Sequence, residues 1–189
     1  MDVIGQVAVG FYDGRPQFPP RLADVLEIIP RGGVVCVELK DPDDRAIRLV
    51  AALVRNYEAT HENHRANIKF ISFSADSLVK MKKLMPTHLC YLVVACLPVC
   101  SRGRLYRRAR EAAALGLDGV DINADSRLVD GEFVRSCVGL GLRVMVWTCV
   151  IQYENAALWD AMRVAGVEAF TTDFPPEILT WVKHANTKH

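Results

Sequence analysis

The residues most able to do chemistry in this sequence are Glu38 and Lys40, which close the apolar segment 34–40, VVCVELK. A strand this apolar is normally buried on both faces in a parallel sheet. A charged pair at its end is therefore either paired internally or bound to something. Because the two residues are two apart, their side chains point to the same face of a strand. A carboxylate and an amine together suit a phosphate ester bound through a divalent metal, and a plain structural ion pair is the alternative.

The composition describes one domain with a sizeable core. The chain has 189 residues, of which 51% are hydrophobic, enough to bury a core of its own. Its 23 basic and 22 acidic side chains give a net charge of +1, which does not indicate nucleic acid as a partner. We expect no signal peptide and no transmembrane segment, because the longest apolar run, 89–99, is too short to span a bilayer.

The cysteines indicate a reducing, cytoplasmic location. Four of the six lie in apolar strand or helix patterns, where buried free cysteine is common: Cys36, Cys90, Cys137 and Cys149. Cys96 and Cys100 have the spacing of a metal pair, but neither a second pair nor a nearby histidine completes a zinc set. We therefore expect all six to be reduced thiols.

Six short apolar segments alternate with amphipathic stretches whose apolar residues recur at helical spacing. The predicted strands are 34–40, 68–74, 89–95, 119–123, 144–148 and 169–173. Repeated strand–helix units of about 25 residues predict an α/β fold with a parallel sheet and right-handed crossovers. Both an open doubly wound sheet and a closed barrel fit this pattern, but there is no glycine-rich dinucleotide fingerprint after the first strand.

Polar residues recur where the predicted strands end, and a ring of such groups on one rim is typical of a barrel. About six strands are visible where closure needs eight. The segment 3–13, VIGQVAVGFYD, could add one irregular strand without closing the ring. The fold class that we predict is a TIM-barrel-like (β/α) repeat, an incomplete barrel lacking its N-terminal strands. Its open sheet edges favour self-association.

Four short motifs follow one another along the chain. They are Glu-x-Lys at 38–40, Ser-Phe at 72–73, a Gly-Leu turn at 141–142 that leads to Trp-Thr at 147–148, and Thr-Asp-x-Pro at 172–175. Their order and spacing resemble the glycerophosphodiester phosphodiesterase family, whose members are TIM barrels. The resemblance is strongest over residues 20–175 and makes residues 1–189 a single domain of this type.

This resemblance implies a phosphoric diester hydrolase that cleaves glycerophosphodiesters to glycerol phosphate and an alcohol, in lipid and glycerol metabolism. It also implies a divalent metal, Mg²⁺ or Ca²⁺, as cofactor and a small-molecule glycerophosphodiester as ligand. By the same resemblance Glu38 is a metal ligand, Lys40 lies near the phosphate, and Trp147 lines the glycerol side of the pocket. Phe73 and Asp173 would belong to the barrel architecture.

The catalytic parts of that family have no counterpart in this sequence. The family carries a His-Arg-Gly segment, a Glu-x-Asp pair of metal ligands and a His-Asp in its N-terminal portion, so we assign no catalytic residue here. His61 and His64 lie in a polar helix end and are expected to be solvated, and His88 begins a strand at the opposite rim. Val150 stands where the family usually has asparagine. Glu38 alone would bind a hard divalent cation poorly.

Several interpretations therefore remain open. The chain is either a truncated version of a metal-dependent hydrolase, or a catalytically inactive relative that binds a phosphorylated ligand or a protein, or a product that folds poorly alone. The arginine-rich stretch 102–110 would serve a binding function. Arginines on an exposed helix face are more commonly solvated, with their stems covering apolar surface.

Overall fold

The central feature of the fold is one parallel sheet whose strands follow each other in chain order. The computed structural model of the protein describes residues 10–30, 32–40, 42–61, 67–95, 101–148 and 154–186. The sheet has the order β3-β4-β5-β6-β7-β8, with strands at Val34–Glu38, Asn67–Ser72, Leu89–Val94, Gly119–Asn123, Arg143–Trp147 and Ala169–Thr171. All six predicted strands are confirmed. A sequential order without reversal is that of a (β/α) barrel, since doubly wound sheets reverse direction at a switch point.

The sheet is curled into part of a barrel. Its described strands supply six of the eight that a closed TIM barrel needs. The described part of the N-terminal segment, from residue 10 onward, does not add a strand to it, because β1 (Gly10–Tyr12) and β2 (Arg15–Gln17) form a separate antiparallel hairpin. β3 and β8 are therefore the edges of the described sheet. The fold class is an α/β, incomplete TIM-barrel-like repeat, as the sequence predicts.

Helices connect the strands and cover one face of the sheet. They span Leu22–Glu27 (α1), Asp44–Thr60 (α2), Ala75–Leu84 (α3), Arg102–Ala114 (α4), Gly131–Gly139 (α5), Ala156–Ala165 (α6) and Pro175–Asn186 (α7). Among the described residues, no helix has the length and apolar character that crossing a bilayer would require.

Side-chain caps begin most of these helices. Asp43 accepts hydrogen bonds from the backbone N–H groups of Arg45 and Ala46 at the start of α2, and Ser74, Asp130 and Asn155 act in the same way at α3, α5 and α6. Each such cap satisfies amide groups that have no partner within the helix. At the other end of α6, Gly166 has a φ of 89°, the left-handed conformation that favours glycine.

The two faces of the sheet differ in chemistry. Residues at alternate positions of each strand point to opposite faces. On the face that contacts the helices, side chains such as Phe70, Leu92 and Ile122 belong to the main hydrophobic core. The other, concave face carries Lys69, Tyr91 and Asp121, which are all buried and lie outside that core. The polar residues on the concave face are the ones available for chemistry.

A polar cluster fills the concave face near the amino-terminal ends of the strands. Glu168 accepts hydrogen bonds from Lys69 Nζ at 2.8 Å, from Tyr91 Oη at 2.6 Å and from Arg143 Nη1 at 3.2 Å. Gly119 makes room for the Tyr91 ring, because a Cβ there would lie 2.5 Å from two of its ring carbons. The cluster closes the bottom of the curled sheet and leaves the opposite rim open.

The cysteine prediction needs one correction. Cys90 and Cys137 are buried free thiols as expected, but Cys36 is exposed. It lies on the concave face of β3, and β3 pairs with a single neighbour in the described sheet, so its side chain is open to solvent. Cys96, Cys100 and Cys149 lie outside the described residues.

Candidate functional site

A pocket of about 290 Å³ opens at the carboxyl-terminal ends of the strands. Its lining contains all three residues that the sequence singled out, Glu38, Lys40 and Trp147, together with Asp121, which it did not. The remaining lining residues are Ile71, Phe73, Val93, Thr148 and Thr171. In a (β/α) barrel this rim is where active sites are built.

Glu38 and Lys40 form an ion pair at this rim. Lys40 Nζ lies 2.7 Å from Glu38 Oε2. The Lys40 side chain is 76% exposed and the Glu38 side chain 26%, so Lys40 is free to move toward a ligand. The pair leaves one carboxylate oxygen unused, because Glu38 Oε1 is buried and has no hydrogen-bond partner within the described structure. The ion-pair interpretation is thus correct for one oxygen of Glu38 and does not account for the other.

Asp121 is a candidate functional residue that the sequence interpretation missed. It lies in the middle of β6, is 2% exposed, and its Oδ1 also has no hydrogen-bond partner in the described residues. Burial, and then the nearby charge of Glu38, raise the pKa of Asp121 to about 7. A buried carboxyl without partners is costly, so its presence in a pocket points to a ligand. The sequence signal that could have identified it is an aspartate within the strand segment GVDIN, whose other residues are apolar except for the terminal asparagine.

Trp147 ends β7 and lines the pocket from the side opposite Glu38. Its Nε1 is buried and makes no hydrogen bond among the described residues, so the residues that line the pocket include one donor and two acceptors without partners. The Phe73 ring meets the Trp147 ring edge-on, with centroids 6.1 Å apart. Phe73 is 48% exposed and lines the pocket, which corrects its assignment to barrel architecture alone.

Glu154 ties the ends of β7 and β8 together beside the pocket. It accepts hydrogen bonds from Thr148 Oγ1 at 2.7 Å, from Trp159 Nε1 at 2.8 Å and from the Thr172 hydroxyl. Burial alone would raise the pKa of Glu154, but these donors lower it overall. Glu154 is therefore an ionised structural group that holds the rim next to Trp147. Asp173 is exposed and lies outside the lining.

The pocket offers few possible metal ligands, but they are carboxylate oxygens, which hard cations prefer. Within the described part of the chain, no group of three or more His, Cys, Asp or Glu side chains is placed to hold a metal. Mg²⁺, however, usually keeps several waters and is bound by one or two carboxylates together with substrate phosphate. Glu38 Oε1 and Asp121 Oδ1, both buried and without partners, match that smaller requirement. The carboxylate of Asp121 removes the objection that Glu38 would act alone.

The described histidines do not contribute to the pocket. His88 lies before β5, at the opposite rim as predicted, with Nε2 2.9 Å from Glu58 Oε1. His61 is not simply solvated: it stacks on Tyr57 at 4.5 Å and its Nε2 lies 3.1 Å from Glu27 Oε2. That contact corrects the expectation for His61. His64 and Val150 lie outside the described residues.

A second concavity, of about 480 Å³, adjoins the first. We call it the arginine groove; it is lined by Phe73, Val93, Val94, Ala95, Arg104, Arg107, Arg108 and Glu111. Phe73 and Val93 also line the first pocket, so the two spaces share a wall. Three arginines of α4 line this groove, and Arg104 and Arg107 are exposed, which agrees with the expectation that they are solvated.

The fold is found again among solved structures of glycerophosphodiester phosphodiesterases. A candidate glycerophosphoryl diester phosphodiesterase from Silicibacter pomeroyi has a TM-score of 0.66 at 22% identity, over 88% of this chain and 57% of that one. For a glycerophosphodiester phosphodiesterase from Parabacteroides distasonis the TM-score is 0.57 at 23% identity, over 80% and 58%. An Oleispira antarctica phosphodiesterase, solved with its product sn-glycerol-3-phosphate, has a TM-score of 0.60 at 20% identity, over 87% and 61%.

At these identities the similarity establishes the shared fold. The chain spans less than two thirds of the length of these structures. No protein-family model matches the sequence, and no curated protein matches it.

Proposed function

We propose that this chain is a member of the glycerophosphodiester phosphodiesterase family whose rim pocket binds a glycerophosphodiester through a divalent cation. The observation that carries the proposal is the pair of buried carboxylate oxygens without partners in the described structure, Glu38 Oε1 and Asp121 Oδ1, which belong to two residues that line one pocket. Two such oxygens in a pocket that also holds a mobile amine suit a cation and a phosphate bound together. The shared fold with phosphodiesterases, one of them holding sn-glycerol-3-phosphate, supports this assignment.

In this proposal each lining residue has a definite task. Glu38 and Asp121 hold the cation, which when bound supplies Lewis-acid polarisation of a phosphoryl oxygen. Lys40, whose ammonium is largely exposed, swings to the phosphate as a point charge. Trp147 donates its unused Nε1–H to a hydroxyl of the glycerol moiety, and its ring walls that side of the pocket. Phe73 holds the Trp147 ring by their edge-on contact.

Catalysis of phosphodiester hydrolysis requires proton-transfer groups in addition to the groups that bind the substrate. Hydrolysis of a phosphodiester is assisted by groups that remove a proton from water and deliver one to the leaving alcohol. Within the described lining, no histidine is available for that work. A second function, a binding module for phosphorylated small molecules without turnover, is therefore kept as the alternative.

The test separates binding from turnover. Binding of sn-glycerol-3-phosphate is measured by calorimetry with Mg²⁺ and with chelator, and glycerophosphocholine hydrolysis is measured under the same conditions. We expect Mg²⁺-dependent binding that is lost in Glu38→Gln and in Asp121→Asn, because each removes one cation ligand. Glu177→Gln changes an exposed acid on α7 and is the matched control.

The outcomes discriminate the alternatives. Binding with turnover supports the hydrolase, and binding without turnover supports the binding module. Wild-type protein that is folded and binds sn-glycerol-3-phosphate equally well with chelator would contradict the cation-bridged site. Binding that survives in both Glu38→Gln and Asp121→Asn would contradict the assignment of these two residues.

A reducing compartment such as the cytoplasm agrees with the free thiols. Cys90 and Cys137 are buried and unpaired by disulfides, and burial raises the pKa of each thiol to about 12. Such thiols are inert, and disulfides are rare in the cytosol. The thiols are therefore packing groups and belong to no catalytic set.

A further inference from the structure

The arginine groove contains positive charge that the fold does not neutralise. Arg108 pairs with Glu111 at 2.5 Å, and elsewhere on α4 Arg102 pairs with Asp130 and, at 3.7 Å, with Glu132. Within the described residues, neither Arg104 nor Arg107 forms an ion pair. The groove thus carries three guanidinium groups against one carboxylate, a net charge of +2.

Arg104 and Arg107 are exposed side chains that line a concavity beside the buried stripe of α4. Leu105, Ala109 and Ala112 are buried and attach the helix to the core. Arg104, Arg107, Arg108 and Glu111 lie to one side of that stripe, at three- and four-residue spacing, and line a concavity rather than a convex surface. A concave, net positive surface concentrates the field on whatever anion enters it.

The groove continues from the proposed cation pocket. Phe73 and Val93 line both spaces. Phe73 follows β4 and contacts the Trp147 ring within the pocket, and Val93 lies on β5, the strand that precedes α4. A group that extends from the pocket past these two shared residues enters the groove.

We propose that Arg104 and Arg107 form a subsite for an anionic group, such as a second phosphate, on the alcohol portion of the glycerophosphodiester. This inference rests on the proposed function and specifies its substrate class: diesters with an anionic alcohol portion are preferred over those with a cationic one. Planar guanidinium groups bind phosphate oxygens through two parallel hydrogen bonds. A choline-type quaternary ammonium would instead meet like charge in this groove.

The test compares two soluble diesters on the whole protein with excess Mg²⁺. The probes are glycerophosphoinositol 4-phosphate and glycerophosphocholine, and their dissociation constants are measured by calorimetry. We expect the first to bind about tenfold more tightly, since a charge-assisted hydrogen bond contributes about that factor or more. The double variant Arg104→Gln/Arg107→Gln should abolish the preference by weakening binding of the first diester, and it should not weaken glycerophosphocholine binding, because it removes the like charge that the choline group meets. Arg110→Gln, an exposed arginine of α4 outside the groove, should keep the preference.

Each other outcome would overturn the subsite. Equal affinity of the wild type for the two diesters, a preference that survives the double variant, or a preference lost in Arg110→Gln would each do so. If neither diester binds the folded wild type, the proposed function is wrong, and the subsite is wrong with it. If both diesters bind with equal affinity, only the subsite is wrong. Vesicles containing phosphatidylinositol 4-phosphate form a separate arm. Arginine-dependent vesicle binding without a preference between the soluble diesters would reassign the groove to a membrane surface.

Discussion

Replacing Asp121 by asparagine should stabilise the protein in neutral and basic solution and remove one ligand of the proposed cation site. The carboxyl of Asp121 is 2% exposed, and its Oδ1 has no partner within the described residues. Burial, and then the charge of Glu38, raise its pKa from 3.8 to about 7. The ionised form is therefore disfavoured in the folded protein, and the neutral amide of asparagine avoids that cost.

The magnitude and its pH dependence follow from the same pKa. Because the folded state of the cation-free protein holds the proton more tightly than the unfolded state, the wild type loses stability as the pH rises from about 4 to about 7. One pKa unit corresponds to about 1.4 kcal/mol, so the upper bound on this loss is about 4 kcal/mol. The amide N–H groups need acceptors in the same pocket, and we therefore expect Asp121→Asn to be about 2 kcal/mol more stable at pH 8. Near pH 4 the difference should vanish.

Urea unfolding in chelator at a series of pH values measures this directly, with Glu177→Gln as an acid-to-amide control that should show no such trend. Addition of Mg²⁺ should stabilise the wild type and not Asp121→Asn, since a ligand that binds the folded state alone raises its stability. A variant that is less stable than the wild type at pH 8 in chelator would refute the reasoning. That result would mean that the Asp121 carboxylate has a stabilising partner.

Two further predictions concern the polar cluster below the pocket. Glu168→Gln should destabilise the protein by about 3 kcal/mol in urea unfolding, because it leaves the ammonium of Lys69, which is 5% exposed, without its counter-charge; a loss below about 1 kcal/mol would contradict this. Gly119→Ala should cost about 3 kcal/mol, since the new Cβ would lie 2.5 Å from the Tyr91 ring and 2.6 Å from a backbone oxygen. Gly139→Ala, with nothing within 4 Å of its Cβ position, should instead be neutral or stabilising by about 0.5–1 kcal/mol, and equal effects of the two changes would refute the packing argument.

Much of the sheet could be predicted from the sequence because the strands are short apolar runs between capped helices. The strand ends were less accurate. The segment 34–40 was predicted to be extended throughout, but β3 ends at Glu38 and Leu39 turns into the core, where it is 6% exposed. The Leu39 N–H still donates a hydrogen bond to Ile71 O at 2.8 Å, so the backbone separates from β4 only after Leu39. The hydrophobic pattern of a strand does not indicate where its pairing with the neighbouring strand ends, and the end of β3 was therefore predicted too late.

Part of the pocket lining could be predicted from the sequence, and the rest depends on contacts between distant strands. Glu38, Lys40 and Trp147 do line one pocket, as expected from their positions at strand ends. Asp121 was overlooked because Val120 and Ile122 on either side of it indicate only a buried strand. Its place in the pocket lining becomes visible only when the curl of the sheet brings β6 toward β3. The pocket-facing position of Phe73 likewise depends on a contact with a residue of β7.

The separation of the two sheet faces has a consequence for how such a protein can change over evolutionary time. The positions that hold the molecule together, such as Phe70, Leu92 and Ile122, face the helices. The positions that line the pocket, such as Glu38 and Asp121, face the other side of the sheet, because side chains alternate between the two faces along each strand. Selection can therefore alter the pocket-lining positions one at a time while the folding determinants stay constant. A scaffold of this kind can therefore lose one activity and gain another through substitutions that do not destabilise the fold.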